Sequence, residues 1–491
     1  MGPMLLILGC AGGANYSLNL IPVIPDNQSP FSQADRIDLV FEPEDGEELV
    51  FTLDETSGSP SLDQLPALDR TSISVRAYDR EDLVAFGRSR PFTMEEGENE
   101  QQVLVSETTN MGWLTSMDID LGGSAIAAHN GSFYIFGGDT EILDIFGDVD
   151  GVGVATIWRV DIAPAGSLQA EPLEIALPEH AKGSNTWAGA TATNLGEGQI
   201  LVAGGSPWMA AVGDEVLYEA FVFDAREETV GPVFELRVGR TAHQAVTFSN
   251  GDIALIGGIK QGGSAAQVVE LYRSDSGESE VGDSHAAYMP AAASLGAGGI
   301  LVCGGYVGST PQSDCEILSI NGSIQAVASL PAARDGLAMA STGEGRVLAI
   351  GGADSETDAQ SNAWLYDQDS DTWISVGNLN VARALHRAVT LPNGQVLIVG
   401  GASAARRGVA AWEGGPVGQG VSCVELYDPE TQEFTVLRDC TLDDDASGLP
   451  ERSMWPSVAL DPDHGVLVVG GFDLVDNLPP VPGVSFFPAT P

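Results

Sequence analysis

Arginine and tryptophan recur at a fixed distance before glycine doublets in this sequence. Arg240, Arg334 and Arg383 each stand 17 residues before the first glycine of a Gly-Gly doublet, and Trp187 stands at the same distance before another. Arginine forms forked hydrogen bonds with carboxylates, and tryptophan stacks on apolar faces. These residues therefore predict an anion or glycan site at one rim of the fold. The candidate binding residues are Arg240, Arg334, Arg383, Arg452, Trp187, Trp208, Trp412 and Trp455.

A second role is open for the same arginines. The chain of 491 residues has 69 Asp and Glu against 21 Lys and Arg, for a net charge of −48. The arginines can therefore pair with neighbouring acids and hold structural units together instead of meeting a ligand. The negative charge also argues against binding to nucleic acid and against electrostatic docking on anionic lipid.

The residue pattern of a common catalytic or metal site is absent from the sequence. The six histidines are scattered, and no HExxH, CxxC, GxSxG, P-loop or Rossmann motif occurs. His243 and His386 stand at equivalent repeat positions, which favours a repeat feature over a metal ligand. Acidic loops such as 148–151 offer oxygen ligands for calcium but lack the rest of a calcium-binding loop. We therefore predict no catalytic residue, no metal and no cofactor.

The N-terminal cysteine lies at the end of an apolar stretch. Residues 4–10 read Met-Leu-Leu-Ile-Leu-Gly-Cys, and this stretch resembles the lipobox of a bacterial lipoprotein signal. It departs from that pattern because no Lys or Arg precedes it and because it is short. The resemblance implies that Cys10 carries lipid and that the protein is exported and anchored in the outer membrane. The protein would then face the periplasm or the cell surface.

Four further cysteines remain, and an even number in an exported chain indicates disulfides. Cys303 and Cys315 fall on consecutive predicted strands, and Cys423 and Cys440 fall on the two arms of another predicted hairpin. Of the three possible pairings, we therefore predict Cys303 with Cys315 and Cys423 with Cys440.

A Gly-Gly doublet closes a short apolar strand seven times, and we number the seven units in chain order. The continuous apolarity of these strands, as in Val396–Val399, indicates burial on both faces. Turns such as Asn393-Gly394 before them are typical of two-residue hairpins. Each unit divides into four predicted strands. The doublets begin at Gly137, Gly204, Gly257, Gly304, Gly351, Gly400 and Gly470.

The fifth unit, with Gly351-Gly352, Tyr366 and Trp373, resembles a kelch repeat, and the other units resemble it more loosely. The resemblance covers residues 108–491 and implies a seven-bladed kelch-type β-propeller of the galactose oxidase-like superfamily. Copper oxidases of this kind need a Tyr-His ligand pair, and that dipeptide is absent here. Sugar mutarotases use a similar ring, but no motif in this chain marks their catalytic residues.

Four segments follow along the chain. Residues 1–9 are predicted as a signal remnant, 10–33 as a tether, 34–107 as a small β-sandwich domain, and 108–491 as the propeller. The sandwich is either a spacer or a binding module. Unit 7 has only three predicted strands, so we expect Gly112–Met117 to supply the fourth and close the ring.

The sequence therefore predicts an all-β protein that binds a protein or a glycan at the bacterial cell envelope without catalysis. The alternative is a carbohydrate-active propeller enzyme, either a sugar mutarotase or an oxidase resembling galactose oxidase.

Overall fold

The fold is all-β, as the sequence predicts. The structure, a computed structural model, contains one 3₁₀ helix, η1, and no α-helix among the residues it describes. In that part of the chain, no helix is long and apolar enough to span a membrane. The described residues are 6–9, 16–24, 29–43, 47–53, 70–89, 92–93, 97–108, 112–114, 122–138, 156–161, 169–180, 187–206, 215–277, 279–283, 288–307, 310–343, 345–354, 359–403, 421, 423–437, 455–471 and 484–488.

The N-terminal part forms two sheets. Its strands are β1 (Leu6–Gly9), β2 (Tyr16–Val23), β3 (Arg36–Pro43), β4 (Leu49–Leu53), β5 (Thr71–Asp79), β6 (Asp82–Arg88), β7 (Gly97–Leu104) and β8 (Ser106–Glu107). One sheet has the order β4-β3-β5-β6-β8 and the other the order β1-β2-β7. The hydrophobic core of this part contains Phe41 of β3, Ile73 of β5 and Val103 of β7. Strand β7 of the second sheet therefore packs against the first sheet.

Part of the segment predicted as a signal remnant and tether is ordered as strands. β2 pairs with β1 in antiparallel fashion and with β7 in parallel fashion along its whole length. The run Tyr-Ser-Leu-Asn-Leu-Ile at residues 16–21 contains several residues that favour extended backbone. Its pairing supplies hydrogen-bond partners along one side of β7, which a flexible tether would not provide.

The remaining strands belong to the seven repeat units. They are β9 (Gly112–Leu114), β10 (Ala125–His129), β11 (Ser132–Phe136), β12 (Thr156–Asp161), β13 (Gln169–Ala176), β14 (Thr191–Gly196), β15 (Gln199–Ala203), β16 (Glu219–Asp224), β17 (Thr229–Val230), β18 (Phe234–Glu235), β19 (Gln244–Thr247), β20 (Ile253–Ile256), β21 (Ile259–Lys260), β22 (Ser264–Ala265), β23 (Val268–Tyr272), β24 (Ser279–Asp283), β25 (Ala291–Ser294), η1 (Gly296–Gly298), β26 (Ile300–Cys303), β27 (Tyr306–Val307), β28 (Thr310–Pro311), β29 (Cys315–Leu318), β30 (Ile324–Val327), β31 (Ala338–Gly343), β32 (Arg346–Ile350), β33 (Asn362–Asp367), β34 (Thr372–Asn378), β35 (Arg387–Thr390), β36 (Val396–Val399), β37 (Val424–Asp428), β38 (Glu433–Val436), β39 (Ser457–Asp461), β40 (Gly465–Val469) and β41 (Val484–Pro488).

Each unit is an antiparallel sheet whose strands follow one another in chain order, except that β9 from the start of the repeat region is the last strand of unit 7. The orders are β10-β11-β12-β13, β14-β15-β16-β17 with β18 also on β16, β19-β20-β23-β24, β25-β26-β29-β30, β31-β32-β33-β34, β35-β36-β37-β38 and β39-β40-β41-β9. The first strands β10, β14, β19, β25, β31, β35 and β39 contact one another in sequence, and β39 contacts β10. The described residues thus form a closed ring of seven sheets with the first strands innermost.

The ring closes in the way the sequence predicts. β9, which precedes unit 1, pairs with β41 as the fourth strand of unit 7. A side-chain contact reinforces this joint, because the Asp461 carboxylate of unit 7 accepts a hydrogen bond of 2.8 Å from the Gly131 N–H of unit 1. Both ends of the repeat region therefore lie in one sheet, and unit 7 has no missing strand.

The predicted Cys303–Cys315 disulfide is confirmed. The two cysteines face each other on β26 and β29, with their Cα atoms 4.3 Å apart. Closing a loop of this size stabilises the fold by about 3 kcal/mol in the chain-entropy model. Cys423 is also disulfide-bonded. Its predicted partner Cys440 lies outside the described residues, so that pairing stays a prediction.

Candidate binding site at the mouth of the ring

The residue two positions before each first strand has the same unusual backbone conformation in all seven units. Its φ lies between 47° and 68°, the left-handed region that side chains other than glycine rarely adopt. These residues are Gly123, Gly189, Ala242, Met289, Gly336, Leu385 and Trp455. We call them the mouth ring, because they stand where the innermost strands begin.

Backbone hydrogen bonds link neighbouring members of the mouth ring. The N–H groups of Gly189 and Ala242 donate to the carbonyl oxygens of Gly123 and Gly189, at 2.7 and 3.3 Å. The Leu385 N–H likewise donates to Gly336, and the Trp455 N–H donates to Leu385. In these four residues the left-handed turn directs the N–H toward the preceding unit, so their sheets are joined directly near the axis.

A cavity of about 100 Å³ lies inside this ring. Six of the seven units contribute to its wall, which mixes apolar and polar groups. The lining residues are Gly123, Ser124, Gly189, Ala190, Thr191, Thr241, Ala242, His243, Gln244, Met289, Arg387, Trp455 and Ser457. Thr191, Gln244, Arg387 and Ser457 are each the first residue of a first strand, so one register position provides much of the polar wall.

Arg387 is the charged residue of this wall, and it is not among the candidate residues predicted from the sequence. Its guanidinium is partly buried, and burial lowers the pKa of Arg387 to about 10, so the group stays charged at neutral pH. Within the described residues, neither Arg387 nor the Gln244 amide makes a side-chain hydrogen bond or ion pair. The sequence feature that could have identified Arg387 is its position, 13 residues before its doublet and four residues after Arg383.

Arg240 does not reach an exposed rim. Its side chain is 0% exposed, and its Nη2 atom lies 3.6 Å from the carboxylate of Glu270, which is also 0% exposed. Its Nη1 atom donates to the carbonyl oxygens of Leu255, Gly257 and Val268, each at 3.1 Å. Burial lowers the pKa of Arg240 to about 10 despite the opposing effect of Glu270. Arg240 therefore joins the entry of unit 3 to its second and third strands.

Arg383 repeats this arrangement in unit 6. Its Nη2 atom lies 2.5 Å from Oε1 of Glu425, and both side chains are 0% exposed. Its Nη1 atom donates to the carbonyl oxygens of Gly400 and Cys423, at 3.3 and 2.8 Å. The placement of Arg240 and Arg383 at a solvent-facing rim is thus corrected. Their geometry agrees with the alternative in that both arginines pair with acids, but each pair lies within one unit and does not join two units.

The two positions that hold an arginine and a glutamate in units 3 and 6 hold at least one different residue in units 2 and 5. In unit 5 the residue equivalent to the glutamate is Trp364, and the Arg334 guanidinium lies 5.1 Å from the centre of its ring. In unit 2, Trp187 replaces the arginine and packs edge-on against Phe221, with ring centroids 4.9 Å apart. Arg334 is 4% exposed and Trp187 is fully buried. Arg334 and Trp187 therefore also pack in the interior of their units.

Of the remaining candidates, Trp455 lies in the mouth ring and lines the cavity. Arg452, Trp208 and Trp412 lie outside the described residues, as does Cys10.

Three of the glycine doublets bind the following unit through the backbone. The N–H groups of Gly205, Gly305 and Gly352 donate to the carbonyl oxygens of Arg240, Arg334 and Arg383, at 2.8, 2.9 and 3.0 Å. A Cβ added to Gly351, the first glycine of its doublet, would lie 2.5 Å from the Arg383 oxygen, and the φ of Gly351 is 58°. Glycine is required here both by the backbone angle and by the close approach of the neighbouring unit.

His243 and His386 lie between units and are buried. Burial, together with the smaller effect of the nearby Arg240 charge, lowers the pKa of His243 to about 3. The pKa of His386 is also well below its usual value, because of burial and of the charges of Arg383 and Arg387. Nε2 of His243 lies 2.9 Å from Oγ1 of Thr191 in the preceding unit. Both histidines are therefore neutral in the folded protein, as expected for a repeat feature.

These two histidines make the protein less stable as the pH falls. Their pKa is lowered by folding, so the unfolded chain binds more protons below pH 6.5, and stability is lost from there downward. At pH 5 the loss is about 2 kcal/mol for His243, whose pKa is lowered to about 3 in the folded protein. We expect the stability gap between the parent and His243→Gln to shrink by this amount between pH 7 and pH 5, measured by urea unfolding. Gln244→Ala, which removes no titrating group, should show a constant gap, and a constant gap for His243→Gln would contradict neutral burial.

The ring of antiparallel sheets and its axial mouth form an all-β fold of the galactose oxidase-like type. Among solved structures, a fungal alcohol oxidase of the AA5 family in complex with copper is similar in fold, with a TM-score of 0.55 and 15% sequence identity over 76% of this chain and 75% of that chain. The structure of YjhT aligns with 13% identity and a TM-score of 0.45 over 65% of this chain and 97% of that one. No protein-family model and no curated protein sequence matches this chain.

Proposed function

We propose that this protein is a non-catalytic binding propeller of the bacterial cell envelope, with the mouth-ring cavity as part of its ligand site. The ligand is a protein or a glycan, and the lipobox-like sequence at Cys10 supports attachment to the outer membrane. The observation that carries the proposal is the cavity itself. Six units converge on it with Trp455 and Met289 beside Gln244 and Arg387, the mixture of apolar surface and a few polar groups typical of ligand sites.

The buried arginines support this choice of site. Arg240 and Arg383 have their charge satisfied inside the sheets, whereas Arg387 and Gln244 in the cavity wall make no side-chain hydrogen bond or ion pair with the described residues. Polar groups left unpaired in a partly buried position are costly unless water or a ligand meets them. The cavity on the axis of the ring is therefore a better candidate for the ligand site than the positions of Arg240 and Arg383.

The test is binding of the purified protein to an array of bacterial envelope glycans and to envelope proteins, compared with two variants. Trp455→Ala removes the largest apolar side chain of the cavity wall and should abolish binding of a specific ligand. Ile374→Ala, on the outer strand β34 and 53% exposed, is the matched control and should bind like the parent. Equal loss of binding in Trp455→Ala and Ile374→Ala would argue against the cavity as the site. A ligand that binds Trp455→Ala as tightly as the parent would argue against it as well.

An enzyme is the second candidate, and it is motivated by the fold shared with an alcohol oxidase bound to copper. Among the described residues, no group of three or more His, Cys, Asp and Glu side chains is placed to hold a metal ion. Elemental analysis for copper and turnover on a panel of sugars test this candidate. Stoichiometric copper together with oxidation of a sugar alcohol group would replace the binding proposal by an oxidase, and metal-independent conversion of a sugar anomer would replace it by a mutarotase.

A further inference from the structure

Among the residues that the structure describes, Arg387 has no carboxylate partner, in a chain of net charge −48. The buried arginines of this protein show the usual solution, since Arg240 faces Glu270 and Arg383 faces Glu425. The residues that line the cavity around Arg387 include no Asp or Glu. A guanidinium that is partly withdrawn from water and has no carboxylate beside it is suited to receive one from a ligand.

The neighbours of Arg387 supply hydrogen bonds without adding charge. Gln244 stands at the same register position in unit 3 and offers an amide that no other described side chain uses. Thr191 and Ser457, also at that position, are partly engaged, with His243 and with Ser124. One fixed positive charge among neutral donors and acceptors matches one negative charge on a ligand, whereas a dianion would meet the strongly negative protein with half of its charge uncompensated.

The rest of the wall fixes the kind of molecule that carries this charge. Ala190, Ala242, Met289 and Trp455 present apolar surface to the same space. A volume of about 100 Å³ holds one small functional group with a short carbon body and leaves the remainder of a larger ligand outside the mouth. A carboxylate attached to carbon fits this combination of one cation, neutral polar groups and an apolar surface.

We infer that the mouth-ring cavity binds the carboxylate of a small organic acid, such as the uronic acid unit of a glycan, through Arg387 with Gln244 as a second contact. This inference deepens the proposed function and rests on it, since it names the chemical class of the ligand at the same cavity. Trp455 and Met289 then pack against the carbon skeleton.

Isothermal titration of the purified full chain with galacturonate and galactose is the experiment, because these two sugars differ only in the group at C6. Galacturonate should bind at least ten-fold more tightly than galactose. Arg387→Gln should weaken galacturonate binding roughly ten- to hundred-fold, the range for loss of a hydrogen bond between charged groups. Arg346→Gln, which removes an arginine 59% exposed on β32, is the control for net charge and should bind like the parent.

Each other result overturns the inference. Equal binding of galactose and galacturonate, with no effect of Arg387→Gln, would show that the cavity binds a glycan without recognising a carboxylate. Tighter binding of inorganic phosphate than of galacturonate would assign the cavity to a different anion. Absence of galacturonate binding at millimolar concentration, while the glycan array shows ligands that depend on Trp455, would refute the carboxylate and keep the proposed function. Failure of both experiments would remove the site altogether.

Discussion

Replacing Arg383 by alanine is expected to lower the free energy of unfolding by about 3–5 kcal/mol, because it leaves a fully buried carboxylate without its counter-charge. The Glu425 carboxylate would keep only the Asn380 backbone N–H and side-chain amide at 2.8 Å and a longer contact to the Val381 N–H. The carbonyl oxygens of Gly400 and Cys423 would also lose a donor. Urea unfolding followed by tryptophan fluorescence measures the effect.

Two further variants separate the ion pair from mere loss of volume. Adding Glu425→Gln to Arg383→Ala should recover part of the loss, since the neutral amide no longer needs a counter-charge and still accepts from Asn380. Arg346→Ala breaks a pair of 3.4 Å with Asp367 at an arginine 59% exposed, and it should cost no more than about 1 kcal/mol. Comparable losses for Arg383→Ala and Arg346→Ala would show that Arg383 does not stabilise the sheet.

Replacing Gly351 by alanine is expected to be nearly as damaging, although it adds a single methyl group. The backbone angle φ of 58° costs a residue with a Cβ about 1–2 kcal/mol. The new methyl would also lie 2.5 Å from the Arg383 carbonyl oxygen and 3.0 Å from the His386 ring, so the joint between units 5 and 6 must open. Forcing atoms into packed space adds about 1–3 kcal/mol.

Gly394→Ala is the matched control for this variant. Gly394 has a φ of 85°, and a Cβ built on it meets nothing within 4 Å. It should therefore pay the backbone cost alone, and urea unfolding should place it between the parent and Gly351→Ala. If the two glycine variants unfold at the same urea concentration, the close approach to Arg383 contributes nothing and the doublet is needed only for its backbone angles.

The repeat was readable from the sequence because its signals are local. Alternation of turn residues with short apolar runs predicts hairpins, and seven copies of the doublet predict seven similar units. The pairing of Cys303 with Cys315 was predictable for the same reason, since the two residues lie on consecutive strands. The contribution of β9 to unit 7 followed from counting strands at the end of the chain and is confirmed by its pairing with β41.

The roles of the arginines were not readable from the sequence. Arg383 and Arg387 stand four residues apart, and both belong to the approach to the same strand. Arg383 meets Glu425, which lies 42 residues further along the chain, while the space around Arg387 is enclosed by residues from six units. The residue type was the same for both, and the recurrence of the 17-residue spacing favoured Arg383, the arginine that the fold uses internally.

What the sequence determined by itself was therefore the strand pattern, the all-β class and the recurrence of a special residue 17 positions before each of several doublets. Tertiary structure alone decided what that residue does. In units 3 and 6 this residue is an arginine that pairs with a glutamate, and in unit 5 it is an arginine that lies over the Trp364 ring. In unit 2 it is Trp187, which packs against Phe221. The physical reason is that hairpins and turns depend on neighbouring residues, whereas the burial and pairing of a charge depend on groups that come together only when the ring is assembled.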